Sequence, residues 1–534
     1  MGRRAVRITA GVAALALVAG GVWYLNGDAP ERRLVEDYLA AWERNDVKAM
    51  KALVAAPPAG FDRWHRDSAI GRADYEAGDL REKDGGYEAR FTARVALAEG
   101  ADWTYEGRLR LVESDGSWKV RWSPAAIHPD LREGRALRLR RSWPERAAVT
   151  AADGTRIDTE DTYGSVKQLV GAVAPATAED VKRLGAPYRA GDPVGTDGLQ
   201  RTFERRLAGR PGLRVELTEG GRTLSTLARV GGAPGKALRT SVDLAAQKAG
   251  ADALRDEKRN ASLVAVKAST GEIKAVVNKP GGFNRALMGH YPPGSTFKVV
   301  TASALVADGL SPATRVACPA RQTIGGFEFH NAGYKDYGTL PLRDAFAHSC
   351  NTTFGDLGVE RLGEKRLREV AESFGFGSPL NPGVPAVRAR FPSTGSETEL
   401  ASAAFGQGKV LASPLNMATV AAAIAGGAWR PPRLVDAALL PGGEVRKLEP
   451  GIVRALRQLM PAVVSDGTAN AVDFPAGVGG KTGTAEFGEG EEPPAHSWFI
   501  GYKGDLAFAV IVEGAGEGAA AAAPIAAEFL RGLS

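Results

Sequence analysis

Two pairs of strand-like runs stand at opposite ends of one long C-terminal stretch, and this separation restricts the fold more than any other feature. Ser262–Val266 and Glu272–Asn278 lie either side of a Thr270-Gly271 turn. Trp498–Tyr502 and Leu506–Glu513 repeat the same apolar, β-branched texture near the far end. The residues between them carry apolar positions at helical spacing. Strands divided in this way predict one antiparallel sheet assembled from both ends of the segment, with a helical subdomain inserted. We place this domain over 236–534.

The upstream chain reads differently. Leu34, Tyr38, Leu39 and Trp42 recur at helical spacing, so 31–56 is predicted helical, with a break at Asn45-Asp46. A meander follows. Tyr87, Ala89, Phe91, Ala93, Val95 and Leu97 alternate, Leu109 and Leu111 alternate, Asp115-Gly116 turns, and Trp118, Val120 and Trp122 alternate back. This predicts a small α+β domain that ends near Pro129. Residues 146–235 are less regular, with a helix expected from Gly198 to Leu207 and a linker at Gly231-Gly232-Ala233-Pro234-Gly235. A chain of 534 residues is long enough for such a multidomain α+β protein.

Residues 1–30 read as a cytoplasmic stub and a transmembrane signal anchor. Arg3, Arg4 and Arg7 precede an apolar run from Ile8 to Leu25. The run has about 18 residues, the lower limit for crossing a hydrocarbon core of about 30 Å. Trp23 and Tyr24 stand at its far end, and the basic residues before it orient the rest of the chain outward. The competing reading is a cleaved signal peptide, but no small-x-small site follows the run. An outward orientation puts Cys318 and Cys350 where disulfides persist. A bridge between them would contribute about 3–4 kcal/mol, and two inert buried thiols are the alternative.

Charge excludes some functions. There are 68 basic and 62 acidic residues, and no basic stripe interleaved with aromatics, so nucleic acid is not an expected partner. The densest basic run, from Arg132 through Arg135, Arg138, Arg140 and Arg141 to Arg146, reads as a solvated or lipid-facing strand surface. The 6 His are scattered without metal-ligand spacing, so neither a metal nor a cofactor is expected.

Three short motifs carry chemistry. Ser295-Thr-Phe-Lys298 follows Pro292-Pro293-Gly294 and opens an apolar run. Pro and Gly position a helix start, where free N–H groups point outward, and positions i and i+3 share a face. A serine there becomes a nucleophile if a base is near. Lys298 can be that base only when neutral, which requires its pKa to fall by about three units. Taken alone, Ser295 as a helix cap and Lys298 as a surface residue is the simpler reading. Ser349-Cys350-Asn351 offers a hydroxyl and an amide two positions apart. Lys481-Thr482-Gly483-Thr484 reads as a short strand with both threonines on one face and a glycine that admits another backbone. His330 and His348 read as structural. Glu486, Glu489, Glu491 and Glu492 form an acidic loop, usually a solvated feature. The three motifs together, in this order, arise by chance at about the one-in-a-hundred level.

In this order the motifs resemble the signature of penicillin-binding proteins and serine β-lactamases. Phe283-Asn-Arg-Ala-Leu287 through Lys298 resembles the family's nucleophile segment, as do Gly406-Gln-Gly408 and Ser413-Pro-Leu-Asn-Met-Ala418. Residues 31–145 look like the NTF2-like domain found before some class B transpeptidases, and 146–235 like the pedestal or dimerisation domain. There the family's Arg-Gly-x-Ile-x-Asp-Arg-x-Gly stretch appears as Arg146-Ala-Ala-Val-Thr-Ala-Ala-Asp-Gly154, a departure.

The resemblance implies a peptidoglycan D,D-transpeptidase, anchored in the membrane with its catalytic domain outside the cytoplasm. Ser295 would attack the penultimate D-Ala of a stem peptide, or a β-lactam, and Lys298 would take its proton. The N–H groups of Ser295 and Thr484 would bind the oxyanion. Ser349 would pass the proton to the leaving group and Lys481 would supply positive charge. Thr482, Gly483 and Thr484 would receive the substrate's carboxylate end, and Asn351 its side-chain amide. A membrane glycan polymerase is an expected partner. A D,D-carboxypeptidase or β-lactamase is the first alternative, and a non-catalytic β-lactam sensor or scaffold the second.

Overall fold

A computed structural model describes residues 29–98, 101–162, 164–488 and 493–533. The expected anchor over Ile8–Leu25, and Glu489, Glu491 and Glu492 of the acidic loop, lie outside the described residues. Among the described residues, no helix is long and apolar enough to cross a membrane. The chain forms two compact units, one of Met1–Glu145 with Gly209–Gly235 and one of Arg146–Ala208 with Lys236–Ser534. The stretch 146–235, which reads as one module in the sequence, is thus divided between them.

In the first unit, helix Pro30–Glu43 starts on a proline and buries Leu34, Val35, Tyr38 and Leu39. Asn45, at φ 54°, breaks it, and Asp46 caps the next helix, Val47–Ala52, by accepting from the Ala49 N–H at 3.0 Å. A third helix, Phe61–Ser68, has no counterpart in the sequence reading. Four strands then run as an antiparallel meander: Arg72–Lys83, Gly86–Ala96, Asp102–Ser114 and Ser117–Arg121. Asp84-Gly85 and Asp115-Gly116 all adopt positive φ, the geometry two-residue hairpin turns demand.

A second, three-stranded sheet pairs Arg222–Ala233 with Arg210–Glu219, and that strand with Arg135–Ser142. The arginine run is therefore answered by acids on its neighbour. Arg140 meets Glu216 at 3.0 Å, and the Glu216 side chain is buried. Gly231, expected in a linker, instead pairs with Gly212 inside this sheet.

In the second unit, Arg146 donates to both carboxylate oxygens of the buried Glu204, at 3.2 and 2.8 Å. Val149-Thr150 pairs in parallel with Leu238-Arg239. Val149, Leu169, Leu199 and Leu207 join the same core as the sheet residues Leu263, Val276 and Ile511. That sheet has five antiparallel strands in the order Ile273–Lys279, Ala261–Lys267, Leu506–Val512, Ala495–Lys503, Val478–Glu486. Both ends of the segment supply strands, as the apolar runs predict. The helix Pro414–Gly426 packs against the strands from 261 and 506. It begins with a Ser413–Asn416 capping box and a first-turn proline, ends at Gly427 in the left-handed region, and is buried all round. The last strand, Val478–Glu486, stands at the sheet edge with the Lys-Thr-Gly residues in its middle.

Candidate active site

The three motifs converge in the second unit. The turn before Ser295 is pinned on several sides. Tyr291 donates to Glu513 at 2.6 Å, Trp498 Nε1 donates to the Pro292 carbonyl at 3.1 Å, and the Gly294 N–H donates to Gly406 O at 2.8 Å. Gly294 has φ 53°, and a Cβ there would come within 2.4 Å of Thr484 O. Only glycine fits, on both counts. This close approach brings the Ser295 turn against the edge strand. A short 3₁₀ turn, Gly294–Phe297, leads into the α-helix Lys298–Ala307, whose apolar sequence drives it into the core. Lys298 goes with it and is 0% exposed.

The Lys298 amine lies 3.0 Å from Ser295 Oγ, 2.7 Å from Ser349 O, 2.7 Å from Asn351 Oδ1 and 3.2 Å from Ser349 Oγ. Burial lowers its pKa well below the ordinary lysine value, and the nearby Lys481 lowers it further. The rings of Phe354 and Phe405 stand 5.7 and 5.8 Å away.

Ser349 is held at φ 60°, in the left-handed region that non-glycine residues seldom enter. Its neighbour Cys350 is disulfide-bonded to Cys318, with Cα atoms 6.1 Å apart. Asn351 donates its amide nitrogen to His330 O at 3.1 Å, which turns Oδ1 toward Lys298. Its backbone N–H donates to the buried Asn331 side chain at 2.8 Å. Asn331 in turn donates to Pro319 O at 2.9 Å and Lys335 O at 3.0 Å.

Lys481 is also 0% exposed. It donates to Thr482 O at 3.1 Å and lies 5.6 Å from the Phe346 ring centre. Burial lowers its pKa to about 7. Thr482 Oγ1 is 2.6 Å from Thr468 Oγ1. Gly483 lies against Pro293 and Thr296, where a Cβ would meet Thr296 Cγ2 at 2.8 Å. Thr484 is half-buried, and its carbonyl accepts from Gln407 at 3.4 Å.

The site therefore gathers Ser295, Lys298, Ser349 and Asn351 around one amine, with Lys481, Thr482, Gly483 and Thr484 on the adjoining strand. His330 stacks on Tyr334 and His348 on Tyr337, at 4.2 and 4.5 Å. Asn331 and Thr468 support the site without any signal in the sequence that singles them out. Among the described residues, no cluster of His, Cys, Asp or Glu could hold a metal ion. A hydroxyl beside a buried amine, facing a strand edge and a second buried amine, suits acyl transfer to and from a substrate that carries a carboxylate.

Comparison with known proteins decides the family. Residues 261–531 match the penicillin-binding protein transpeptidase domain, half of the chain. The chain belongs to this family. Residues 30–135 of this penicillin-binding protein match the NTF2-like N-terminal transpeptidase domain, and 160–240 the penicillin-binding protein dimerisation domain. The peptidoglycan D,D-transpeptidase PbpA of Mycolicibacterium smegmatis is 31% identical over 54% of this chain and 70% of its own. The peptidoglycan D,D-transpeptidase MrdA of Acinetobacter baumannii is 26% identical over 69% of this chain and 66% of its own. The fold of a Helicobacter pylori penicillin-binding protein, PBP2, solved in complex with MreC, superposes with a TM-score of 0.64 at 17% identity, covering 74% of this chain and 99% of that one. The protein is a class B penicillin-binding protein with an NTF2-like N-terminal domain, and a serine-type peptidoglycan D,D-transpeptidase.

Proposed function

We propose that Ser295 is the residue acylated in this transpeptidase and that neutral Lys298 is its base. A count of hydrogens on the amine supports this reading. A neutral amine has two N–H groups and one lone pair. The carbonyl of Ser349 and the Oδ1 of Asn351, both at 2.7 Å, can only accept, so they take the two N–H groups. The lone pair is left for the Ser295 hydroxyl at 3.0 Å. An ammonium has no lone pair for that proton, and burial beside Lys481 disfavours it.

Ser295 Oγ attacks the carbonyl of the penultimate D-Ala, and its proton moves to Lys298. The N–H groups of Ser295 and Thr484 face the developing oxyanion, since Gly294 brings the helix start against the strand edge. The C–N bond to the terminal D-Ala breaks, and Ser349 passes the proton to the leaving amine. Lys481, Thr482 and Thr484 hold the terminal carboxylate, beside Gly483, and Asn351 holds the side-chain amide. An acceptor amine then attacks the acyl ester and frees Ser295. A β-lactam follows the first half, but its leaving nitrogen stays tethered to the acyl group.

The division into sequence modules at 31–145, 146–235 and 236–534, which differs from the two compact units in how it assigns 209–235 and 146–208, belongs to the same proposal. So does a single-pass anchor that leaves the catalytic domain outside the cytoplasm, supported by the hydropathy and flanking charge of Ile8–Leu25. A membrane glycan polymerase as partner rests on family resemblance.

Incubating the protein with a D-Ala-D-Ala donor peptide and an amine acceptor tests the reading. Mass spectrometry should find the crosslinked product, with terminal D-Ala released in equal amount, and neither with Ser295→Ala. Release of D-Ala with hydrolysed donor alone would indicate a carboxypeptidase instead.

A further inference from the structure

The helix Asn351–Leu357 begins beside the Lys298 amine, and its own sequence does not cap it. The first N–H groups of a helix have no intrahelical partner, and a side-chain oxygen at the preceding residue usually takes one of them. Here the preceding residue is Cys350, which is committed to the disulfide and makes no capping bond. Asn331 supplies the oxygen instead, from 20 positions upstream. Its Oδ1 accepts from the Asn351 N–H at 2.8 Å and the Thr352 N–H at 3.3 Å. Its Nδ2 donates to Pro319 O at 2.9 Å and Lys335 O at 3.0 Å. Backbone N–H groups only donate and carbonyls only accept, so the amide has one orientation and both its hydrogens are used. Asn331 is 3% exposed.

Other links dock the same helix start. Cys350 is bridged to Cys318, the Thr352 hydroxyl donates to Pro319 O at 2.9 Å, and the Thr353 hydroxyl donates to Ala317 O at 2.6 Å. These hold the helix against 317–319 without Asn331, whose own bond falls on the backbone of Asn351. That backbone carries an amide whose ends are also assigned. Asn351 Oδ1 accepts from Lys298 at 2.7 Å, and Nδ2 gives one hydrogen to His330 O at 3.1 Å. One amide N–H is left, and it can meet only an acceptor. We propose that Asn331 is a positioning residue that acts through Asn351: it aims this remaining N–H at the acyl side chain and sets the preference for donors that carry an amide carbonyl there. The inference rests on the role given above to Asn351.

The test compares acylation of the full-length protein by benzylpenicillin and by 6-aminopenicillanic acid, which has the same bicyclic ring but a free amine in place of the acylamide. The wild type should prefer benzylpenicillin. Asn331→Ala should cut that preference by about 3–10-fold, the equivalent of one misplaced hydrogen bond, chiefly by slowing the reaction with benzylpenicillin. Asn351→Ala should cut it as well, and adding Asn331→Ala to that variant should change it no further. Rates are compared at a temperature at which circular dichroism shows each variant folded. Asn331→Ser, which leaves a smaller cavity, gives the same test should the alanine variant not fold. A support that served stability alone would slow both penicillins equally. Equal slowing, or a wild-type preference retained in Asn331→Ala or Asn331→Ser, would overturn this inference alone. No preference in the wild type would overturn the role of Asn351 and this inference with it.

Discussion

At the scale of single residues, Lys481 is the group whose charge responds most to what enters the cleft. It is buried, forms no ion pair among the described residues, and has its pKa lowered to about 7. A substrate carboxylate beside it favours the charged form and raises that pKa. Below about 7 the amine is already protonated, so binding takes up no proton. Above about 7 it is neutral until the carboxylate arrives, so binding draws a proton from solution. Calorimetry of penicillin binding to Ser295→Ala, in buffers of different ionisation enthalpy, should show uptake approaching one proton per site at about pH 8 and fading toward about pH 6. Uptake that ignores pH would contradict this assignment. Thr468 gives a second test. Its hydroxyl meets Thr482 at 2.6 Å, so Thr468→Val should slow acylation by about 3–10-fold at limiting penicillin while leaving the fold intact. An unchanged rate would remove Thr468 from the site.

At the scale of elements, the turn at Ser349-Cys350-Asn351 supplies three of the four atoms around the Lys298 amine, and Cys350 ties that turn to Cys318. Replacing both cysteines by serine should cost about 3–4 kcal/mol of stability in the chain-entropy model. It should also slow acylation at a temperature where the variant is folded. A lowered melting temperature with an unchanged acylation rate would mean that the bridge serves stability alone. Gly294→Ala should be more damaging to acylation, because the added Cβ meets Thr484 O and the backbone sits at positive φ. A fall of about a hundredfold or more is expected, given the sensitivity of aligned reacting groups to small displacements.

The legibility of these elements follows from their contacts. The strands Ala261–Lys267, Ile273–Lys279, Ala495–Lys503 and Leu506–Val512 of the large sheet are readable because burial on both faces demands dense apolar runs. Arg72–Lys83 is hard to read because every position is exposed or half-buried, with Tyr75 and Leu80 among few apolar side chains. Gly231 looked like linker because glycine and proline punctuate loops, yet here it pairs within a strand. Ser295, Lys298, Ser349 and Lys481 were visible because their chemistry needs short fixed spacings. Asn331 and Thr468 reach the site through tertiary contacts, which leave no spacing to read.

At the scale of the molecule, residues 146–208 share a core with the transpeptidase sheet, whereas 209–235 belong to the other unit. A chain beginning at Lys236 would therefore expose the surfaces that Val149, Leu169, Leu199 and Leu207 cover. It should aggregate or melt well below the intact protein in a thermal scan. A monodisperse fragment with the native melting temperature would show that this packing is dispensable. The chemistry of the whole molecule turns on one hydroxyl that is acylated by virtue of a neutral neighbouring amine. Intact-mass spectrometry of the full chain after exposure to penicillin tests it most directly. A single penicilloyl adduct per chain is expected, mapped to Ser295 and absent from Ser295→Ala. An adduct that persists in that variant, or maps to another residue, would contradict it.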